Sequence, residues 1–118
     1  MYVAGLVIPV PADQMDAYRR WAENGAKIFK DHGCLEIVES WEDNVPDGKQ
    51  TDFRRAVAAR PGEKTVFTKQ VWPDKASFYE AEAKMHKYSR MDTAGDPPFD
   101  ARRLILGCFE PIFSMGRL

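Results

Sequence analysis

The first and last strand-like segments of the chain have apolar residues on both of their faces, and this restricts the fold more than any other feature. Residues 2–10 form a continuous apolar run that is too short for a typical helix and is closed by Pro9 and Pro11. This run predicts a strand buried on both faces of a sheet. Residues 103–112 predict a last strand of the same kind. A sheet built around these two strands needs a cover on each of its faces.

Two amphipathic helices are predicted between the strands. Asp13 is the predicted N-cap of the first helix, which ends at Gly33, where a left-handed backbone is needed. Asp74 is the predicted N-cap of the second helix, which we expect to end near Arg90. The inward stripes have helical spacing and comprise Met15, Tyr18, Trp21, Ala22, Ile28 and Phe29 in the first helix and Phe78, Ala81, Met85 and Tyr88 in the second.

The remaining segments predict two inner strands, two turns and a loop. Residues 34–42 form the predicted second strand, with Leu35, Ile37, Glu39 and Trp41 on one of its faces. Residues 65–72 form the third. Turns are expected at residues 46–48 and 61–62. A short helix, capped by Thr51 or Asp52, is expected to run through Ala56. Residues 92–100 are expected to be a loop.

The order strand, helix, strand, strand, helix, strand predicts an α+β fold. It is the ferredoxin-like βαββαβ arrangement, an antiparallel sheet with both helices on one face, in a single domain over residues 1–118. The helices leave the second face uncovered. Another copy of the same sheet is the expected cover, because a two-fold axis makes one apolar patch complementary to itself. The alternative is that residues 92–100 fold over this face within one chain.

Composition excludes several classes of partner. The 17 basic and 18 acidic residues give a net charge of −1, so we expect no nucleic-acid partner. No apolar run is long enough for a membrane span, and the first ten residues lack the features of a signal peptide, so we expect a cytoplasmic protein without a membrane partner. Cys34 and Cys108 lack metal-site spacing, which predicts two free thiols and no metal.

Three runs carry a family resemblance, namely WEDNVPDGKQTDFRRAV, PGEKTVF and PPFDARRLILGCFEPI. They resemble the bacterial YbaA-like family, a family of unknown function, over nearly the whole chain. The resemblance implies the dimeric α/β-barrel group, whose members pair two ferredoxin-like sheets face to face. That wider group includes cofactor-independent monooxygenases, haem-degrading enzymes, lactone isomerases and small stress-response proteins.

The resemblance implies no established activity and no cofactor for this chain. Haem-degrading relatives use an Asn on the first strand, which residues 2–10 lack, although Trp72 and His86 match their Trp and helical His. We therefore expect a homodimeric small-molecule-binding or stress-response protein. The alternative is a monooxygenase-like or isomerase-like enzyme, without a cofactor, that acts on a small aromatic or quinone-like compound.

By family position, the candidate ligand-binding residues are Trp41, Asp52, Arg54, Phe99, Asp100 and Arg103, with Phe109 and Glu110 behind them. One interpretation is an ion-pair network that holds two loops against the sheet. The other is a small pocket in which an arginine anchors an anionic or carbonyl oxygen while Trp41 and Phe99 sandwich an apolar ring. In an enzyme, Asp52 or His86 would then be the candidate base.

Overall fold

The structure, a computed structural model, describes residues 1–88 and 96–116, without the side chains of residues 86–88. The predicted end of the second helix near Arg90 and the start of the loop at Asp92 lie outside the described residues. The elements in chain order are β1 (Tyr2–Pro11), a 3₁₀ turn (Ala12–Gln14), α1 (Met15–Asp31), β2 (Glu36–Trp41), α2 (Phe53–Ala56), β3 (Glu63–Trp72), α3 (Lys75–Tyr88) and β4 (Ile105–Phe109).

The four strands form one antiparallel sheet in the order β2-β3-β1-β4. This order confirms the predicted α+β, ferredoxin-like arrangement. The pairing of Ala4 with Gln70 and Cys108 places these residues on one face of the sheet. The long helices α1 and α3 cover this face, which is called the helix face below.

Helix caps explain where α2 and α3 begin, and one predicted cap is wrong. Asp52 accepts the backbone N–H of Arg55 at 2.8 Å, and Asp74 accepts that of Ser77 at 2.7 Å, so both carboxylates cap as predicted. Asp13 does not cap α1, because it lies inside the 3₁₀ turn, and α1 starts after Gln14 without a side-chain cap. At the other end of α1, Gly33 adopts the predicted left-handed conformation with φ of 103°.

Strands β2 and β4 are shorter than predicted. The backbone N–H of Cys34 donates to Phe29 O at 3.0 Å, so Cys34 belongs to the end of the helix rather than to the sheet. The N–H of Arg103 donates to Asp100 O at 3.1 Å, which places Arg103 in a turn before β4. At the far end, Pro111 has no N–H for a ladder hydrogen bond.

The core lies between the sheet and the two long helices, in two clusters. The cluster under α3 contains Tyr2, Ala4, Cys34, Trp72, Phe78 and Ala81. The cluster under α1 contains Ile8, Val10, Tyr18 and Val66. Both cysteines are free thiols, as predicted, and Cys34 is buried with its Sγ facing Val71 O at 3.5 Å. No helix in the described part of the chain combines the length and apolar character that a membrane crossing requires.

The second face of the sheet, called the open face below, presents large apolar side chains to solvent. Val38, Phe67, Ile105 and Phe109 lie on it and are 42–61% exposed. The ring of Phe109 lies over Gly107, where an added Cβ would meet it at 3.0 Å. The described part of the predicted covering loop turns the other way, because Phe99 packs against Tyr18 and Trp21 on the helix face.

Candidate functional site

Arg103 is clamped between two carboxylates at the end of the sheet. It donates to both oxygens of Glu63, at 2.8 and 2.6 Å, and to Asp100 at 3.1 Å. It also donates to Ala58 O at 3.0 Å. The side chains of Arg103 and Glu63 are only 14% and 11% exposed, so this forked ion pair is largely shielded from solvent. The hydrogen bond from Arg103 is the main cause that lowers the pKa of Glu63 to about 2.

Arg54 makes a second cluster next to the first. Its guanidinium donates to Glu42 at 2.8 Å, to Glu63 O at 2.8 Å and to Arg60 O at 3.1 Å. Glu42 also accepts the backbone N–H of Thr65 at 2.8 Å and its hydroxyl at 3.0 Å. These hydrogen bonds outweigh desolvation and lower the pKa of Glu42. The two clusters meet at Glu63 and tie the segment around α2 to the start of β3.

Asp52 belongs to a third arrangement and does not pair with Arg54. Its carboxylate accepts the N–H groups of Gly48 and Arg55 and the Nε of Arg55 at 2.8 Å. These contacts lower the pKa of Asp52 to about 2, with the backbone bond from Arg55 as the main cause. Arg55 also donates to the carbonyl oxygens of Gly48 and Gln50, so Asp52 and Arg55 together hold residues 48–50 against the start of α2. The turn predicted at residues 46–48 is absent, since these residues are irregular and the chain bends at residues 49–50 instead.

A wide, open surface depression of ≈ 770 Å³ lies beside these groups and is lined by Asp47, Gly48, Asp52, Arg54, Arg55, Ala58 and Ala59. The guanidinium groups of Arg54 and Arg55 donate to partners within the chain. Binding an anion here would therefore break existing hydrogen bonds. This geometry favours the interpretation as an ion-pair network, and a ligand on Asp52, Arg54, Asp100 or Arg103 stays a prediction.

The predicted aromatic residues lie elsewhere. Trp41 and Phe99 both pack against the core cluster under α1. The Phe99 ring meets Trp21 edge-on at 5.2 Å between centroids. Phe109 lies on the open face, while Glu110 follows β4 and is exposed. The candidate base His86 lies in α3, and its side chain is outside the described part of the structure.

Trp41 lines a different cavity, which is called the α1–β2 groove below. It has a volume of ≈ 320 Å³ and lies between one side of α1 and the helix face of β2. Its lining comprises Met15, Tyr18, Arg19, Ala22, Glu23, Ala26, Ile37, Glu39, Ser40, Trp41 and Val66. A smaller cavity of ≈ 90 Å³ continues beneath α1 and shares Tyr18, Ala22, Ala26, Ile37 and Glu39 with the groove. A mainly apolar cavity with few polar groups is typical of a small-molecule site.

Glu39 is the carboxylate of this groove that the sheet positions, while Glu23 lines it from α1. The Oε2 of Glu39 accepts the hydroxyl of Tyr18 at 2.8 Å and the hydroxyl of Thr68 at 2.6 Å. The residue is exposed through the groove, whereas Tyr18 and Thr68 are buried. Desolvation raises the pKa of Glu39, and the hydrogen bonds from Thr68 and Tyr18 lower it without offsetting the increase. The protein therefore holds a carboxylate with raised pKa beside an open apolar groove, as functional sites often do.

Sequence reasoning did not select Glu39, although one signal for it was present. In the predicted second strand, Glu39 falls on the same alternation as Ile37 and Trp41, so an acidic residue faces the helices. A carboxylate on a core-facing alternation needs hydrogen-bond donors or a function. The donors come from α1 and β3, which are far from Glu39 in sequence. Among the described residues, no three or more His, Cys, Asp and Glu side chains lie together in a way that could hold a metal ion.

Comparisons with known proteins agree with this fold. The chain is 48% identical over 112 residues to "Uncharacterized protein YbaA" of Escherichia coli (strain K12), covering 94% of this chain and 96% of that protein. The identity and coverage are the same for the protein of that name from Shigella flexneri. A solved structure named "Putative antibiotic biosynthesis monooxygenase from Nitrosomonas europaea" matches with a TM-score of 0.50 at 12% identity, covering 98% of this chain and 93% of that chain. This structural likeness supports the fold alone.

Residues 1–101 match the family described as "Protein of unknown function (DUF1428)". This match spans both predicted helices, the α1–β2 groove and the cluster of Arg54 and Glu42, but it ends before Arg103. It agrees with the identity to YbaA over most of the chain. The chain therefore belongs to the DUF1428 family, with YbaA of E. coli among its relatives.

Proposed function

We propose that this protein is a homodimeric small-molecule-binding protein whose ligand, a planar aromatic compound, occupies the α1–β2 groove. The observation that carries the proposal is the groove itself, which is mainly apolar and has the carboxylate of Glu39 in its wall. Trp41 and Ile37 offer flat and branched apolar surfaces to a ring. The cytoplasm stays the predicted compartment.

Occluding the groove tests the proposal. Ala26 lines both cavities, so Ala26→Phe places a ring where the ligand would lie. We expect the wild type to bind para-nitroanisole, a neutral aromatic probe, in isothermal titration calorimetry, and the variant to lose at least about tenfold in affinity. Asn24→Phe adds the same ring on the exposed side of α1 and is the matched control. The proposal fails if the wild type does not bind the probe, or if both variants bind it equally.

The open face supports the homodimer. Its exposed side chains include Phe67, which stacks edge-on against Phe53 at 6.3 Å between centroids. The same face also carries the ion pair of Lys69 and Glu36, at 3.2 Å. Large apolar side chains exposed together on one face are a marker of an interaction site. A second copy related by a two-fold axis presents the same surface, and two open faces packed together exclude water from both.

Charge on the open face tests the dimer. Phe67→Lys places an ammonium group in the centre of the face, where a dimer would bury it without a partner. We expect light scattering to give twice the chain mass for the wild type at micromolar concentration and the single-chain mass for the variant. Leu35→Lys changes another exposed apolar residue, 67% exposed and outside the paired strands, and we expect it to stay dimeric. A monomer mass for the wild type would contradict the dimer.

A further inference from the structure

The hydrogen bonds of Glu39 all go to one of its two oxygen atoms. Tyr18 of α1 and Thr68 of β3 both donate to Oε2. Among the described groups, which exclude the side chains of residues 86–88, none donates to Oε1. The two donors come from different elements and are themselves buried, so they fix the carboxylate in one orientation. Oε1 is then the acceptor that remains for a molecule in the groove.

The surroundings of Glu39 favour a neutral ligand over an anion. The groups that face it are the hydroxyls of Tyr18 and Thr68, while Arg19 and Glu23 of α1 line the same groove and carry opposite charges. The residues of β1 that line the inner cavity, Leu6 and Ile8, are apolar. An anionic oxygen placed next to the ionised carboxylate would be repelled, and a hydroxyl that donates to it is favoured.

Resting on the proposed function, we propose that Glu39 is the proton-accepting group of the α1–β2 groove and that its ligand is a phenol or an enol whose hydroxyl donates to Oε1. In the transfer, the O–H bond of the ligand breaks and the proton moves to Oε1. The electron pair of that bond stays on the ligand oxygen, and the summed charge of the ligand and the Glu39 side chain remains −1. No oxidant or reductant takes part.

The raised pKa of Glu39 agrees with this role. Its pKa lies above the usual value for a glutamate because desolvation outweighs the hydrogen bonds from Thr68 and Tyr18. This shift makes the carboxylate a stronger proton acceptor than an ordinary glutamate. Tyr18 and Thr68 act as positioning residues, since they touch Glu39 and hold its second oxygen.

The test uses two probes that differ in one hydroxyl, para-nitrophenol and para-nitroanisole. The complex of the wild type with para-nitrophenol holds one proton between the ligand and Glu39. Above the pKa of the free phenol, binding must therefore take up about one proton per ligand, and the affinity falls about tenfold per pH unit. Calorimetry in buffers of different ionisation enthalpy measures this uptake.

The variant Glu39→Gln removes the proton acceptor while keeping an oxygen that accepts from Tyr18 and Thr68. Its neutral amide does not repel a phenolate oxygen and can donate to it, so we expect the variant to bind the phenolate directly. It should then take up no proton and lose the tenfold decline in affinity per pH unit. Glu80→Gln removes one charge at an exposed site on α3 and is the matched control, which should behave as the wild type. Tyr18→Phe and Thr68→Val should each raise the pKa of Glu39 further, because each removes a hydrogen bond that lowers it. The pH below which protonation of Glu39 weakens para-nitrophenol binding should then be higher than in the wild type.

A melting curve shows whether the variant folds. A folded-state pKa above the unfolded one means that ionised Glu39 lowers stability as pH rises through that range. We therefore expect Glu39→Gln to melt at or above the temperature of the wild type at neutral pH. Equal proton uptake by Glu39→Gln and the wild type would overturn the role of Glu39 while leaving the groove as a ligand site. If neither probe binds the wild type, the proposed function itself fails.

Discussion

The variant Arg103→Ala is expected to lower the melting temperature by about 10 °C at neutral pH. It removes the guanidinium that donates to both oxygens of Glu63 and to Asp100, and it leaves the shielded carboxylate of Glu63 without its main partner. It also frees the carbonyl of Ala58 after α2. Thermal unfolding followed by circular dichroism measures the change.

The neighbouring arginine provides the control. Arg102 also pairs with Asp100, at 3.0 Å, but its side chain is 91% exposed. An exposed ion pair contributes little, so we expect Arg102→Ala to shift the melting temperature by no more than about 2 °C. Arg103→Lys keeps the positive charge but cannot donate to both oxygens of Glu63 in the same planar geometry. Its melting temperature should therefore lie between those of the wild type and Arg103→Ala. Equal shifts in melting temperature for Arg102→Ala and Arg103→Ala would contradict a stabilising role for the shielded ion pairs of Arg103.

The pH dependence gives this prediction a second readout. The pKa of Glu63 in the folded protein is about 2, below its usual value of 4.5. A lowered pKa means that Glu63 stabilises the fold above pH 4.5 and that this contribution is lost as pH falls towards 2. Because Arg103 is the main cause of the shift, the stability gap between wild type and Arg103→Ala should narrow over that range. A constant gap would mean that Glu63 is not the group involved.

Arg54→Ala is expected to lower the melting temperature by about 5 °C. Arg54 donates to Glu42 and to the carbonyl oxygens of Arg60 and Glu63, and its side chain is 28% exposed. The effect is smaller than that of Arg103→Ala because Glu42 keeps both donors of Thr65. Differential scanning calorimetry measures the shift and the unfolding enthalpy together.

Lys64→Ala is the matched control for Arg54→Ala. Lys64 lies 4.0 Å from the other oxygen of Glu42 and is 42% exposed, so its loss should change the melting temperature by no more than about 2 °C. Arg54 was also predicted to bind a ligand, and the same variants separate the two roles. An unchanged melting temperature for Arg54→Ala, together with a small aromatic acid that stabilises only the wild type, would favour the ligand.

Local sequence patterns predicted much of the fold and little of the groove. The caps at Asp52 and Asp74 and the left-handed Gly33 depend on neighbouring residues, so they can be recognised along the chain. Asp13 has the same chemistry and was wrong as a cap, because a 3₁₀ turn placed it before the helix. Asp52 and Arg54 were predicted to share one candidate site, whereas the structure pairs Asp52 with Arg55 and Arg54 with Glu42.

The sequence by itself determined the antiparallel ferredoxin-like sheet, because period-2 and period-3.6 patterns decide which face of each strand and helix is apolar. The partners of charged side chains were decided only by the tertiary structure. Glu39 meets Tyr18 across 21 residues and Thr68 across 29, and Arg103 meets Glu63 across 40. No local pattern encodes such distances, since they depend on strand register and on how α1 packs over the sheet. The groove and the orientation of Glu39 in it are therefore products of packing.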